Sequence, residues 1–415
     1  MDYTREISPG IHWVGGNDRR LALFENMFPL PQGVAYNSYL ILDDKVALMD
    51  TVDAAITRQF FENMDRLLAG RAIDYLVVNH MEPDHCANIE ELARRYPEMK
   101  IVGNQKTFQM IRQFYDFSLD DRCIEVREGD SLPLGAHTLQ FYFAPMVHWP
   151  EVMLAFEESQ GILFAADAFG SFGAHDGDIF SDEKDFERIY LSEARRYYAN
   201  IVGKYGPQVQ AALKKLGGVD VKMICPLHGP VWREDLGYIL DKYDRWSKYI
   251  PEEPGVVLAY ASMYGNTENA VDLLAGKLAQ RGIANLSVFD VSKTHPSEII
   301  AEMFRLSHMV LASPTYNMGI YYGMHGLLHE MAALNLQNRK VAIIGNGSWA
   351  PAAANLMKKQ VEGMKNMALV CEPLEIRSAL KKEQMPDVDA MVDAICASME
   401  ACLLYTSPSP RDRQK

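Results

Sequence analysis

The chain has 415 residues, of which 48% are hydrophobic and 23% are charged, and its formal net charge at pH 7 is -14. This length suits two globular domains rather than one core. The negative charge argues against a nucleic-acid ligand, which requires clustered Lys and Arg, and no apolar run approaches the roughly 20 residues that span a bilayer.

The first residues lack the basic stretch and following apolar run of a secretory signal, so we expect a cytoplasmic protein. The six cysteines form no C-x-x-C pair. Their spacing therefore indicates neither a structural zinc knuckle nor a rubredoxin-type iron site.

The first half of the chain, residues 1–248, alternates short strand-like runs with turn residues before helical patterns begin. Residues 37–42 and 46–50 are two such runs. This alternation predicts a layered α/β domain with a substantial sheet.

The strand-like run at residues 75–78 leads into a dense cluster of potential metal ligands. The cluster consists of His80, Glu82, Asp84 and His85. Pro83 argues against a regular helix at this point, so we expect a tight loop that presents the ligands to two neighbouring ions.

Three further potential ligands, each at the end of an apolar run or just after one, are His148, Asp167 and His228. A single His in such a place is more often a buried core residue, but the ordered set favours a binuclear metal site. The order resembles the H-x-[H/E]-x-D-H…H…D…H series of the metallo-β-lactamase fold. This resemblance covers about the first 248 residues and implies an αββα sandwich.

Glu82 bears on the identity of the metal. Zinc hydrolases of this fold usually have His at the corresponding position, whereas a mixed set of imidazoles and carboxylates suits iron. Two ferrous ions would bring four positive charges against the three carboxylates, which limits the cost of burying the site. A zinc-dependent hydrolase remains the alternative for this domain.

Residues 249–254 contain two prolines and two acidic residues between patterned stretches, which is typical of a linker. Regular βα units occupy residues 255–400 and predict a small doubly wound parallel sheet. The five predicted strands are residues 256–260, 286–290, 309–312, 341–344 and 368–371.

Three loops follow the first, third and fourth of these strands and together resemble the loops of flavodoxin. Ligands bind at the carboxyl ends of such strands, and a helix N-terminus favours phosphate, so we expect flavin mononucleotide (FMN) here. The predicted FMN-binding residues are Ser262, Met263, Tyr264, Gly265, Asn266, Thr267, Pro314, Thr315, Tyr316, Asn317, Gly319, Gly347, Ser348 and Trp349. Tyr316 and Trp349 are candidates for stacking on the flavin. Residues 345–350 also fit a dinucleotide fingerprint, although that motif belongs in the first βα turn.

Residues 402–415 interrupt the last helical pattern, and their sequence looks like the translation of a sequencing-library adapter. We expect this stretch not to belong to the natural protein.

Taken together, the two halves resemble the flavodiiron proteins, also called A-type flavoproteins. The resemblance extends to Phe24-Glu25-Asn26, to residues 30–37 and to His148-Trp149-Pro150. It implies two ligand sets, with His80, Glu82 and His148 on one iron, Asp84, His85 and His228 on the other, and Asp167 bridging both.

The same resemblance implies reduction of dioxygen to water or of nitric oxide to nitrous oxide. Electrons would come from a rubredoxin-like protein, or in some members a deazaflavin cofactor, and pass through FMN to the irons. Tyr197 and Tyr198 match a stretch that supplies a catalytic tyrosine, although paired aromatic residues on a helix are more often packing. Many members place a His upstream of Phe24, where this chain has Leu21 and Ala22. An electron-transfer flavoprotein with an inactive metal domain is a further alternative.

The predicted linker also bears on assembly. Six residues span at most about 20 Å, too little for the FMN to swing over the iron site of its own chain. The resemblance implies a head-to-tail homodimer, or a dimer of dimers, in which each FMN faces the partner's irons.

Overall fold

The computed structural model describes residues 3–406, so the predicted adapter-derived stretch lies outside the described residues from 407 onward. The chain divides into two compact units, one up to Ser247 and one from Lys248.

The first unit is built from many short elements. Its strands are β1 Arg5–Ser8, β2 Ile11–Trp13, β3 Gly16–Asp18, β4 Leu23–Phe24, β5 Phe28–Pro29, β6 Val34–Tyr36, β7 Tyr39–Leu42, β8 Val46–Met49, β9 Tyr75–Val77, β10 Lys100–Gly103, β11 Cys123–Glu125, β12 Ser131–Pro133, β13 Thr138–Phe143, β14 Met153–Glu157, β15 Ile162–Phe164 and β16 Met223–Cys225. Its α-helices are α1 Thr57–Leu68, α2 Pro83–Cys86, α3 Ile89–Arg95, α4 Gln105–Phe114, α5 Phe186–Ile189, α6 Leu191–Tyr197, α7 Gly206–Leu216 and α8 Leu236–Ser247. A π-helix, Tyr198–Val202, and 3-10 helices at Ala54–Ile56, Ser181–Glu183 and Gly203–Tyr205 complete the set.

Two sheets face each other in this unit. One has the order β1-β2-β7-β8-β9-β10-β11 and the other the order β12-β13-β14-β15-β16. Alternate residues of both sheets, such as Tyr39 and Ile41 in β7 and Leu139 and Phe141 in β13, are buried in one shared core. In β13 the intervening residues are only partly buried, which matches the period of two in a strand with one buried face, whereas in β7 the intervening Leu40 is buried as well.

Helices cover the outer faces of both sheets. α4 packs beside β10 of the first sheet, and on the second sheet Val209 and Leu213 of α7 share a small apolar cavity with Leu154 of β14. The predicted αββα sandwich is thereby confirmed.

The second unit has fewer and longer elements. Its strands are β17 Glu253–Tyr260, β18 Leu286–Asp290, β19 Leu306–Tyr316, β20 Gly319–Ile320, β21 Lys340–Asn346, β22 Ala368–Leu369 and β23 Leu374–Ile376. Its helices are α9 Asn266–Gln280, α10 Pro296–Arg305, α11 Tyr322–Ala333, α12 Ala353–Glu362 and α13 Met385–Thr406, with a 3-10 turn at Lys382–Gln384.

The sheet of the second unit is parallel, in the order β18-β17-β19-β21-β22. In terms of the five predicted strands this order is 2-1-3-4-5, which is that of flavodoxin and agrees with the resemblance of the three loops. The fifth strand is split, because β22 pairs with the first residues of β21 and β23 with its last residues.

Two predicted non-strand segments differ from expectation. β17 already begins at Glu253, inside the predicted linker, and Tyr249 is buried against Phe304. The predicted loop at residues 313–319 is largely the end of β19. Asn317 and Met318 then turn the chain with φ of 48° and 62° into β20, as positive φ at both central positions permits in a tight hairpin.

Candidate functional site

The first four predicted ligands follow β9 and surround the start of α2. Pro83 occupies the first turn of this short helix and Glu82 its N-cap. The expectation that Pro83 would exclude a helix here is wrong, because the first helical position needs no backbone N–H donor. Asp84 and His85 therefore lie on α2, while His80 lies in the extended segment before it.

The structure brings all seven predicted metal ligands together at the ends of strands. His148 precedes β14, Asp167 follows β15 and His228 follows β16. All seven are buried, and their donor atoms fall into a group of four and a group of three. The groups are His80, Glu82, His148 and Asp167, and Asp84, His85 and His228.

Within the first group, the Nε2 atoms of two imidazoles converge on two carboxylates. His148 Nε2 lies 3.1 Å from Glu82 Oε2 and 3.0 Å from Asp167 Oδ2. His80 Nε2 lies 3.2 Å from the same Glu82 oxygen and 3.4 Å from the same Asp167 oxygen.

The second group has the same construction. The Nε2 atoms of His85 and His228 are 3.0 Å apart, and Asp84 Oδ2 lies 3.3 Å and 3.2 Å from them. The other oxygen of Asp167, Oδ1, lies 3.2 Å from His85 Nε2. Asp167 thus offers one oxygen to each group, as a bridging carboxylate would.

The pKa shifts within the cluster indicate that its side chains could bind metal ions. Burial opposes the charge on His148, but its hydrogen bonds to Asp167 and Glu82 outweigh burial and raise the pKa of the imidazole to about 9. Burial also opposes the charge on Glu82, and the contacts with His148 and His80 nevertheless lower the pKa of its carboxyl. Asp84 has no hydrogen-bond partner for either oxygen among the described residues. Four buried imidazoles and three carboxylates, two of which have oxygens without a hydrogen-bond partner among the described residues, fit two divalent cations that replace these protons.

Three supporting residues did not stand out in the sequence. Glu151 accepts a hydrogen bond from His80 Nδ1 at 2.8 Å. Asp50, whose pKa burial raises to about 6, accepts from the backbone N–H of His80 at 3.1 Å. Asn37 donates to the carbonyl groups on both sides of His228, those of Pro226 and Gly229. Carboxylates and amides just after apolar runs are the only signal that could have indicated them.

A further histidine, His175, is buried near the cluster residues of the first unit. Its Nε2 lies 3.2 Å from Asn37 Oδ1, and its ring packs edge-on against Trp13. Burial lowers the pKa of the imidazole to about 4. His175 therefore supports the residue that holds the His228 loop.

The two tyrosines at the junction of α6 and the π-helix have different surroundings. The ring of Tyr197 lies 5.5 Å from that of His228, and its buried hydroxyl has no hydrogen-bond partner among the described residues. Tyr198 packs on Tyr243 and Trp246 instead. Of the two predicted catalytic tyrosines, the structure places Tyr197 at the metal cluster.

The hairpin of β4 and β5 also reaches the cluster. The ring of Phe24 packs edge-on against His228 at 5.3 Å. Burial and the adjacent carboxylate of Glu82 raise the pKa of Glu25 to about 8. The Phe24-Glu25-Asn26 motif thus borders the ligands directly.

In the second unit, a pocket of about 330 Å³ opens at the carboxyl ends of β17, β19 and β21. Eleven predicted FMN-binding residues line it: Ser262, Met263, Tyr264, Asn266, Thr267, Pro314, Thr315, Asn317, Gly347, Ser348 and Trp349. The N-terminus of α9 at Asn266 borders the pocket, as an anion site requires. The pocket volume lies within the usual range for a small-molecule cofactor.

Three predicted residues do not line this pocket: Gly265, Tyr316 and Gly319. The ring of Tyr316 packs edge-on against Tyr321. Four lining residues were not predicted: Met318, Asn346, Ala350 and Ser378. Asn346 connects two loops by donating to Thr267 Oγ1 and to the carbonyl of Ser378.

The glycines of the alternative dinucleotide motif are explained by packing. A Cβ on Gly345 would lie 2.6 Å from the Cβ of Ala354, and one on Gly347 would lie 2.8 Å from Pro351. α12 begins only at Ala353. The loop therefore does not open a helix directly, as the fingerprint requires.

Among the described residues, no helix is long and apolar enough to cross a membrane.

The family model described as "ODP family beta lactamase" matches residues 34–229. The rubredoxin oxygen:oxidoreductase of Desulfovibrio gigas superposes with a TM-score of 0.91 at 27% identity, over 97% of this chain and all of that chain. The flavodiiron protein of Giardia intestinalis superposes with a TM-score of 0.90 at 24% identity, over 96% of this chain and 98% of that chain.

Relatives with similar sequences carry names of the same kind. The anaerobic nitric oxide reductase flavorubredoxin of Aeromonas hydrophila is 31% identical over 93% of this chain and 77% of its own length. The nitric oxide reductase of Moorella thermoacetica is 30% identical over 90% of this chain and 93% of its own length. With both units matched in order along nearly the whole sequence, the chain belongs to the flavodiiron proteins and is an oxidoreductase.

Proposed function

We propose that this chain holds two iron ions in the first unit and FMN in the second, and that it reduces dioxygen or nitric oxide. The observation that carries the proposal is the arrangement of the seven buried ligands in two groups with one shared carboxylate, Asp167. The names of the relatives add the reaction class.

Each ligand group would hold one iron. His80, Glu82 and His148 would bind the first, and Asp84, His85 and His228 the second, with Asp167 shared between them. Nitrogen and oxygen ligands without thiolate are characteristic of non-haem iron. Zinc as the dominant metal in protein matured with ample iron would overturn this assignment.

FMN would occupy the pocket of the second unit. The hydroxyl groups of Ser262 and Thr267 lie beside the N-terminus of α9, where the helix dipole favours the phosphate. Trp349 is 90% exposed and Tyr264 is 91% exposed at the rim of this pocket. Such exposed rings are available to stack on the flavin.

Bound flavin and iron would supply the electrons, four for each dioxygen reduced to two waters or two for each pair of nitric oxides converted to nitrous oxide and water. The chain would supply the protons and exclude bulk water. Tyr197 is our candidate proton donor because its ring lies 5.5 Å from that of His228 and its buried hydroxyl has no hydrogen-bond partner among the described residues. Burial and the carboxylates of Asp167 and Glu82 raise the pKa of this hydroxyl, so it is protonated at neutral pH. A rubredoxin-like protein or another reductant would act as the electron donor, in line with the names of the relatives.

We also propose a head-to-tail homodimer, or a dimer of dimers, as the active form. Four exposed apolar residues line the proposed flavin pocket, namely Met263, Tyr264, Met318 and Trp349. An apolar surface of this kind is typical of a site that another chain covers. The buried Tyr249 and the early start of β17 leave few residues free to act as a tether.

Two experiments test the proposal. Protein purified without air should contain about two irons and one FMN per chain and should reduce at least one of the two gases.

A mixture of an FMN-free variant (Ser262→Ala with Thr267→Ala) and an Asp167→Ala variant tests the dimer. Subunit exchange should restore partial activity from two inactive parents, and no recovery after confirmed exchange would place both working sites in one chain.

A further inference from the structure

The imidazoles of the metal cluster differ in what holds their Nδ1 atoms. His80 Nδ1 donates to Glu151 Oε1 at 2.8 Å, and His228 Nδ1 donates to the carbonyl of Ala35 at 2.9 Å. His85 Nδ1 has no hydrogen-bond partner among the described residues. Of these three rings, His80 is the one whose Nδ1 donates to a carboxylate. A donated Nδ1 proton leaves Nε2 as the metal-binding atom.

Glu151 is held by hydrogen bonds of both its side chain and its backbone. The same Oε1 accepts from the backbone N–H of Met81 at 2.8 Å, and the backbone carbonyl of Glu151 accepts from Asn104 Nδ2. The side chain is fully buried, and Oε2 has no hydrogen-bond partner in the described part of the chain. The described ion pair of Glu151 is with His80. Its negative charge therefore acts mainly through the ring of His80.

The ligands themselves do not distinguish the two groups, because each group has two imidazoles and one carboxylate of its own, and Asp167 offers one oxygen to each. Glu151 adds a further negative charge next to the first group. A divalent cation is bound more tightly where more negative charge surrounds it at equal burial.

We propose that Glu151 is a positioning residue that makes the two metal subsites unequal, so that the subsite of His80, Glu82 and His148 takes the first ion. The proposal rests on the metal-binding function proposed above and concerns the order of loading, which the ligand set alone does not fix. Glu151 acts by holding His80 in one tautomer and by raising the basicity of its Nε2.

The order of loading is measured on the metal-free full chain with ¹⁵N-labelled histidine, titrated with Zn²⁺. The first equivalent should shift the Nε2 signals of His80 and His148, and the second those of His85 and His228. The Nδ1 proton of His80 should be visible and slow to exchange. Simultaneous shifts of all four rings, or earlier shifts of His85 and His228, would overturn the proposal.

A pair of matched variants tests the role of Glu151. Glu157→Gln is the control, because Glu157 is equally buried in β14 but accepts from Ser159 and Gln160 rather than from a ligand. Glu151→Gln should weaken the first Zn²⁺ step by about 10- to 100-fold, with a smaller change in the second step, and Glu157→Gln should change neither.

Equal weakening of both steps in Glu151→Gln, or no weakening, would contradict the proposal. If this variant does not fold, the order of the histidine signals in the unaltered chain decides the question. Failure of the unaltered chain to bind Zn²⁺ would overturn the metal-binding function itself, whereas two-step binding that ignores Glu151 would overturn this inference alone.

Discussion

The metal cluster and the flavin pocket are built on opposite principles. Every one of the seven cluster residues is at least 90% buried, and their donor atoms already lie close together although the residues are far apart in the sequence. The flavin pocket is an open crevice whose rings at Tyr264 and Trp349 are about nine-tenths exposed. We therefore expect the cluster to depend on a few groups and the pocket to distribute the binding of FMN over many weak contacts.

The sharpest test of this contrast is Asp167→Ala. The shared carboxylate contacts both ligand groups, so its loss should abolish gas reduction and remove most of the bound metal, while FMN stays bound in the other unit. Metal analysis, flavin absorbance and gas consumption measure the three quantities. Asp74→Ala is the control, because Asp74 precedes β9 at the end opposite to His80. Retained turnover in Asp167→Ala would show that the bridge lies elsewhere.

The next largest effect concerns the two buried tyrosines. Tyr197→Phe removes a hydroxyl at the cluster that lacks a partner among the described residues, and turnover should fall by about 100-fold or more if that group donates the proton. Tyr198→Phe should leave turnover nearly unchanged, because Tyr198 packs on Tyr243 and Trp246. Steady-state kinetics on both gases compare the variants, and equal losses would remove Tyr197 from the mechanism.

The sequence allowed the fold class, the strand order of the second unit and the convergence of the seven ligands to be predicted. Hydrophobic periodicity indicated the α/β elements and placed polar residues at strand ends. The αββα sandwich, the strand order and the seven-ligand series were implied by the resemblances to the metallo-β-lactamase fold and to flavodoxin. The roles of Glu151 and Asp50 could not be predicted, since a buried carboxylate is recognised by its partners rather than by its spacing. The start of α2 at Pro83 and the outward position of Tyr316 depend on local backbone angles, which periodicity does not specify.

Each unit contains a buried histidine that should make its free energy of unfolding depend on pH. Burial lowers the pKa of His175 in the first unit and of His308 in the second to about 4 in each case. Above pH 6.5 both imidazoles are neutral in the folded and unfolded states. As the pH falls from 6.5 towards 4, the unfolded chain binds these protons first, so each unit loses stability, by up to about 3 kcal/mol per histidine.

Single variants assign this loss to a unit. His175→Gln should flatten the pH dependence of unfolding in the first unit, which contains four of the five tryptophans, and leave that of the second unit unchanged. His308→Gln should do the reverse, measured by release of FMN. Urea unfolding at several pH values, monitored by tryptophan and flavin fluorescence, gives both curves. An unchanged slope in both variants would mean that other groups control the acid sensitivity.

The smallest expected effect tests whether the flavin pocket really distributes its binding. Trp349 lines the pocket and is almost free of protein contact, so its ring can contribute little more than one stacking interaction, about 0.5–1.5 kcal/mol. Trp349→Ala should therefore weaken FMN binding by no more than about tenfold, measured by fluorescence titration of the FMN-free protein. Tyr316→Ala is the matched control, because Tyr316 is also an exposed aromatic residue but ends β19 and packs on Tyr321 outside the pocket lining. The FMN affinity of this variant should stay unchanged. A loss of several hundredfold in Trp349→Ala would show that one ring dominates the pocket. The flavin site would then resemble the metal cluster in depending on a single group, and the contrast between the two units would no longer hold.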